Sequence, residues 1–375
     1  MTERAPRIGF VVGERSGDVL GAEIATAIHR ERPDTTFHGV GGEALQSLGL
    51  RTLFDPDEIA IVGITAVLAK LPRLIRLIER TARDLAEANL DAAILIDAPD
   101  FTHRVARRLR DARPELPIVK VVAPTVWAWR PERAAALKPI VDEVLAIFPH
   151  EPDVMERLGG PPTTFIGHPL MAKDWSRPER ANDRPNLLVL LGSRRTEIER
   201  LASPFAETVA ILRDRIGELR VSVPTTERRA DMVRDIVAKW PFEAEVVVGD
   251  AAKQVALLSA NAALAASGTV TLELALADVP SVVAYKVDAI ERIVAKRITS
   301  WAMAMPNIIA DRVVMDEAVT EMVRPPRMAR LLERLLTNTP ERQTQLEGFA
   351  LVRERLATAR PPAELAAERI LSLID

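Results

Sequence analysis

Along this chain the apolar residues fall into two alternating patterns. Short continuous apolar runs end in glycine, proline or acidic residues, and longer stretches between them repeat their apolar positions every three or four residues. The runs at 8–12, 36–40, 92–96, 117–122 and 142–148 predict strands in the first half; those at 186–191, 219–223, 245–248, 262–266 and 279–285 predict strands in the second. Helical spacing predicts helices over 19–31, 101–113 and 150–158, then from 197, over 225–239, from 269 through 277, and over 289–299, 327–336, 340–356 and 363–373. Continuous runs, rather than strict alternation, mark strands buried on both faces of a parallel sheet. Right-handed crossovers through the intervening helices then follow. A polar stretch at 173–185, carrying Pro178 and Pro185, separates two restarts of this pattern. The expected fold is α/β, with two Rossmann-like doubly wound domains facing a cleft, 1–172 and 186–340. The terminal helices, 341–375, either pack back on the first domain or exchange between subunits.

Composition narrows the class. The 375 residues are 48% hydrophobic and 27% charged, a globular balance, and the net charge of −3 argues against general nucleic-acid binding. The absence of cysteine removes disulfides, thiolate metal sites and cysteine nucleophiles. The first residues lead straight into a strand without a signal-peptide apolar core, and no apolar run approaches the roughly 18 residues of a membrane span.

Candidate chemistry sits where strands end. The run at 92–96 closes on Asp97, then Pro99 stops sheet pairing, and Asp100 can cap the next helix. Asp97 therefore sits at the carboxyl end of a central strand, where open α/β sheets bind ligands. It either takes a proton from a hydroxyl nucleophile or caps the turn. After the first strand comes G-E-R-S-G-D at 13–18, in which Glu14 and Ser16 can meet a substrate hydroxyl; it is not a dinucleotide fingerprint. After the strand at 186–191, Ser193 and Arg194 form a plausible anion cradle at a helix start. After 262–266, Ser267, Gly268 and Thr269 open a helix whose bare N–H groups favour a diphosphate, and Glu273 on the same face can accept from ribose hydroxyls. Residues 59–80 are densely apolar, with Lys70, Arg73, Arg76 and Arg80 interleaved. Ile61, Ile64, Val67, Leu68, Leu71 and Leu74 then form either an acyl- or membrane-facing patch or the core face of an ordinary helix. The loop V-W-A-W-R at 126–130 holds two of the five tryptophans. His168 reads as a hydrogen-bonded turn residue.

In this order the motifs resemble the lipid-A-disaccharide synthase family almost end to end, from Gly13 to about Glu317. The resemblance rests on G-E-R-S-G-D at 13–18, G-G at 41–42, V-G-I at 62–64 and L-P-R-L at 71–74. It continues with I-D-A-P-D-F at 96–101, V-W-A-W-R at 126–130 and F-I-G-H-P at 165–169. G-S-R-R-T-E-I at 192–198, A-S-G-T-V-T-L-E at 266–273 and P-N at 306–307 complete it. The resemblance implies a GT-B glycosyltransferase joining UDP-2,3-diacylglucosamine to 2,3-diacylglucosamine 1-phosphate (lipid X). It implies Asp97 and Arg194 as catalytic residues. Ser193, Arg194, Ser267, Gly268, Thr269, Glu273 and Asn307 would lie on the donor side, and Glu14, Ser16 and Asp97 on the acceptor side. It implies no metal or cofactor, and a peripheral protein on the cytoplasmic face of the inner membrane. Arg15, Leu191, Asp311 and Val313 depart from the family pattern, the last two around Arg312. Runner-up readings are another UDP-sugar enzyme, an epimerase or a glucosaminyltransferase, and a non-catalytic UDP-sugar-binding module.

Overall fold

In a computed structural model the described residues are 5–59, 64–177, 184–286, 298–320 and 323–375; the side chains of 64–70, 286, 319 and 320 lie outside the description. The chain divides into two compact units. Unit 1 takes residues up to Ala172 together with Thr358–Asp375, and unit 2 is Lys173–Ala357. The division thus falls between the last two helices rather than at residue 341.

Unit 1 is built on seven strands: β1 (Arg7–Val12), β2 (Thr36–Val40), β3 (Arg51–Thr52), β4 (Ala92–Ile96), β5 (Ile118–Val121), β6 (Glu143–Ala146) and β7 (Thr163–Phe165). All pair in parallel, in the order β3-β2-β1-β4-β5-β6-β7. Successive strand residues alternate between two apolar layers. Phe10, Val12, Ile94, Ile96, Val119 and Val121 pack against helix α1 (Arg15–Glu31) and the last helix, Pro362–Leu371. Val11, Ala93, Leu95, Ile118 and Val144 pack against α3 (Ile64–Glu87) and α4 (Pro99–Ala112), which follow the short helix α2 (Glu43–Gln46) in the chain. The return of the last helix is fastened by Arg369, which donates to both oxygens of the buried Glu143 carboxylate at 3.0 and 3.1 Å.

Unit 2 repeats the plan with β8 (Asn186–Leu190), β9 (Arg220–Thr225), β10 (Glu245–Val248), β11 (Ala262–Ala266), β12 (Ser281–Lys286) and β13 (Asp316–Thr320). They are again parallel, in the order β10-β9-β8-β11-β12-β13. Helix Arg195–Ile216 and helix Pro325–Leu336 cover one face through Ile198, Phe205, Met328 and Leu332.

Three expectations change. Helix α1 begins at Arg15, four residues before its apolar periodicity does, and Glu14 is its N-cap residue. The residue before α4 is Ala98, not Asp100; Pro99 takes the first helical position, where its missing N–H costs nothing, and Asp100 pairs with Arg133 at 2.9 Å. The stretch 306–312, outside every helix and strand expected from the sequence, contains a short helix, Met305–Ala310, with a proline in its first turn. The helix expected over 289–299 lies almost wholly outside the described residues, as does Ile61, and so do the side chains of Ile64, Val67 and Leu68.

Candidate active site

Both sheets reverse their strand order at one point, and the predicted loops sit there. In unit 1 the reversal lies between β1 and β4, in register Val12 to Ile96. The loops leaving their carboxyl ends are 13–14, running into the first turn of α1, and 97–98. In unit 2 it lies between β8 and β11, and the loops leaving are 191–194 and 267–269. This is the crevice position at which doubly wound sheets take ligands.

The two loops of unit 1 touch. A Cβ added at Gly13 would fall 2.0 Å from Ala98 Cβ, and one at Gly17 would fall 2.6 Å from Asp97 Oδ2. The Asp97 carboxylate thus rests on the bare backbone of the first turn of α1, with Glu14 and Ser16 exposed beside it. Glu14, Ser16 and Asp97 are therefore brought together. Asp18 is not part of this surface; its carboxylate accepts from the amides of Gly42 (2.7 Å) and Ala44 (2.9 Å) and caps the following short helix.

Asp97 and Ala98 both adopt positive φ, 54° and 35°. For non-glycine residues such backbone costs of order 1–3 kcal/mol each and persists only where neighbours enforce it. Thr102 Oγ1 donates to Asp97 O at 2.9 Å and to Ala98 O at 3.1 Å. Lys120, a fully buried lysine on β5, donates from Nζ to Asp97 O at 3.0 Å and to Val121 O at 3.3 Å. Burial raises the Asp97 carboxyl above the usual carboxylate range, and the Lys120 ammonium pulls it part of the way back. Burial lowers Lys120 to about 8, with Asp97 holding it up. A base raised in this way is better matched to neutral pH than an exposed aspartate.

Beyond β5 and β6 lies a second cluster. Trp127 meets the His150 ring edge-on at 5.2 Å, and Phe148 stacks on the same ring at 5.8 Å. Glu151, almost wholly buried, accepts from the amides of Ile147 and Phe148, and burial lifts its carboxyl to about 8. Burial holds His150 and His168 at about 4. His168 takes the turn role, its Nδ1 accepting from Leu170 N at 3.1 Å. Arg130 places its guanidinium 5.4 Å from the Trp129 ring centroid.

In unit 2, Ser193 and Arg194 are exposed at the start of helix Arg195–Ile216. Arg194 pairs with Glu197 of that helix at 3.0 Å, and Glu197 also accepts from the Arg194 amide. Gly192, at φ 95°, leaves room for that carboxylate; a Cβ there would come 2.6 Å from Glu197 Oε2. Ser267, Gly268 and Thr269 follow β11, with Gly268 at φ 154° and Thr271 Oγ1 donating to its carbonyl. Glu273 is mostly buried and ion-paired with Lys253. Asn307 is buried, and its side chain is occupied by backbone: Oδ1 accepts from Val314 N (2.7 Å) and Met315 N (2.8 Å), and Nδ2 donates to Met315 O (3.0 Å). Its amide thus holds the turn at 314–315. Arg312 is exposed.

Of the apolar patch, Leu71 and Leu74 are half-buried and Ile75 is exposed, while Leu77 and Ile78 further along α3 belong to the core. Arg73, Arg76 and Arg80 are exposed, with Arg73 paired to Glu58 and Arg80 to Asp84. No helix among the described residues is long and apolar enough to cross a membrane.

Sequence reasoning missed Lys120 and Gly17. The signal for the first was present, a lone lysine inside the strand I-V-K-V; the second shows only once the turn at Asp97 is folded against α1.

Two parallel doubly wound units with ligand loops at both switch points define the GT-B glycosyltransferase architecture. Solved structures with this fold include a putative UDP-N-acetylglucosamine 2-epimerase from Listeria monocytogenes (TM-score 0.61, 15% identity, covering 99% of this chain and 96% of that one). MurG from Acinetobacter baumannii is another (TM-score 0.58, 14% identity, 98% and 99%). A family model described as lipid-A-disaccharide synthetase matches residues 8–369. Lipid-A-disaccharide synthases of Nitrobacter winogradskyi and Rhodopseudomonas palustris HaA2 are each 43% identical, over 97% and 98% of this chain and 95% and 96% of theirs. The chain belongs to the lipid-A-disaccharide synthase family, whose members are UDP-sugar glycosyltransferases acting on a lipid acceptor.

Proposed function

We propose that Asp97 is the general base of a single inverting displacement. It removes the proton of the acceptor 6-hydroxyl of lipid X as that oxygen bonds to the anomeric carbon of UDP-2,3-diacylglucosamine. The bond from that carbon to the UDP oxygen breaks with its electron pair, giving the β-1,6 disaccharide 1-phosphate and UDP. The observation that carries this reading is the Asp97 carboxyl itself, half-buried at the switch point of unit 1, raised by burial and backed by a buried ammonium.

Glu14 and Ser16 hold the acceptor beside it. The loops at 192–194 and 267–269 hold the diphosphate, with Arg194 exchanging its Glu197 partner for the leaving group's charge and the backbone of 267–269 adding N–H donors. Glu273, held by Lys253, faces the ribose. Leu71, Leu74 and Ile75 receive acyl chains or a bilayer surface, and Arg73, Arg76 and Arg80 meet anionic headgroups. This makes the protein peripheral to the cytoplasmic membrane.

The test is a product assay in detergent with both lipid substrates, read by mass spectrometry. Asp97→Asn is expected to lower turnover by roughly 10²–10⁴-fold without changing the melting temperature. A folded Asp97→Asn protein at wild-type rate sinks the base. Flotation with anionic vesicles tests the surface, and Leu71→Ser with Leu74→Ser is expected to release the protein from them.

A further inference from the structure

Lys120 is the one charged residue on the face of β5 that packs beneath α4, and at 1% exposure it is among the most buried side chains of the protein. A lysine there loses its hydration and, among the described residues, makes no salt bridge. What it touches is backbone: the carbonyls of Asp97 and Val121, the two strand ends at this corner of the sheet. Asp97 O is held twice, since Thr102 Oγ1 reaches it from α4. That carbonyl belongs to the first of two successive left-handed residues, and its position fixes where the Asp97 side chain leaves the main chain. On the far side the bare Cα of Gly17 bounds the carboxylate.

We propose that Lys120 is the positioning residue of the general base: its buried ammonium pins the left-handed turn at Asp97 and places a positive charge behind the carboxylate that accepts the proton. The proposal rests on Asp97 being the base. The groups facing this corner are Lys120 from β5, His103 and Asp100 from α4, Arg133 from the helix Glu132–Leu137, and Glu14 from the α1 turn. Asp100 is paired with Arg133, and burial together with Lys120 and Arg133 keeps His103 neutral down to about 3. Lys120 is therefore the group whose removal changes the charge felt by Asp97. With its own value near 8 it is mostly protonated at neutral pH.

The experiment is the pH dependence of kcat/KM of the full chain, from about pH 5 to 9, for wild type, Lys120→Met, Lys120→Arg, Thr102→Val and Asp97→Asn. The acid limb of wild type reports the base taking up its proton. Lys120→Met is expected to move that limb up by about one pH unit or more, because the charge that lowered the carboxyl is gone. It is also expected to lower the plateau roughly tenfold through loss of the clamp. Lys120→Arg restores the limb. Thr102→Val loosens the clamp without removing charge, so the plateau falls several-fold and the limb stays. A folded Lys120→Met protein with wild-type limb and plateau overturns the proposal. Should Lys120→Met fail to fold, Thr102→Val with a wild-type plateau overturns the clamp. Asp97→Asn separates the claims: if it is active, the base assignment falls; if it is inactive while Lys120→Met keeps the wild-type limb, only the role of Lys120 falls.

Discussion

Gly17 shows how a residue with no side chain can set the geometry of one that has chemistry. Adding a single methyl there places carbon 2.6 Å from Asp97 Oδ2, and the carboxylate is the mobile partner. Gly17→Ala is expected to lower kcat by 10-fold or more while melting within a few degrees of wild type, since a displacement of about 1 Å can cost on the order of 10²-fold. Unchanged kcat would mean the carboxylate has another productive position. Asp97 itself was legible as an acid closing an apolar run. Partners across the fold were not, because they depend on what tertiary structure brings near. Lys120 finds the carbonyl of Asp97, Glu273 finds Lys253, and Asn307 spends its amide on residues 314–315. At the last of these, the amide of a motif position read as a ligand contact also staples a turn.

At the scale of elements, legibility tracked burial. Strands such as Ala92–Ile96 and Ala262–Ala266, fully buried, announce themselves as unbroken apolar runs. Arg51–Thr52 and Thr163–Phe165 have too few residues and too little burial to form a pattern, and Asp316–Thr320 at the sheet edge reads as a polar stretch. The last helix was legible as a helix but not by its destination, which is decided by Ala366, Ala367 and Ile370 fitting the α1 layer and by Arg369 reaching Glu143. Glu143 is 3% exposed and keeps only Thr164 if Arg369 is removed. Arg369→Ala should therefore destabilise unit 1 by about 1–3 kcal/mol, seen as a lower midpoint in urea with UDP affinity retained. A midpoint equal to wild type would mean that water satisfies the carboxylate.

At the scale of the whole molecule, the two units differ in what acid does to them. All five histidines lie in unit 1, and burial depresses three of them: His103 to about 3, His150 and His168 to about 4. Each is uncharged when folded but protonates near pH 6.5 when unfolded, so the stability it contributes is present above that value and lost as pH falls toward its folded value. Glu151 acts oppositely: raised to about 8, it adds stability that is full below its unfolded value near 4.5 and lost as pH rises through 8. Between about pH 6.5 and 4.5 the three histidines oppose Glu151 and the Asp97 carboxyl, which burial also raises, and unit 1 is expected to melt progressively earlier than unit 2 as pH falls. Thermal scans followed by tryptophan emission, with Trp127 and Trp129 in one unit and Trp240 and Trp301 in the other, would show one transition splitting into two. A single transition that merely shifts would count against the assignment.

The chain order of unit 1 has a further consequence for synthesis. Its α1 layer is completed by residues 362–371, which emerge only after the whole of 173–357 has been made. At about 5–20 residues per second that interval is roughly 10–40 s, during which α1 alone covers this layer and the part closed by Ala366, Ala367 and Ile370 stays open on the ribosome. Unit 2, continuous in sequence, has no such wait. The nascent protein is thus folded out of order, its second half finished while its first still offers a sticky surface to chaperones or to neighbouring nascent chains.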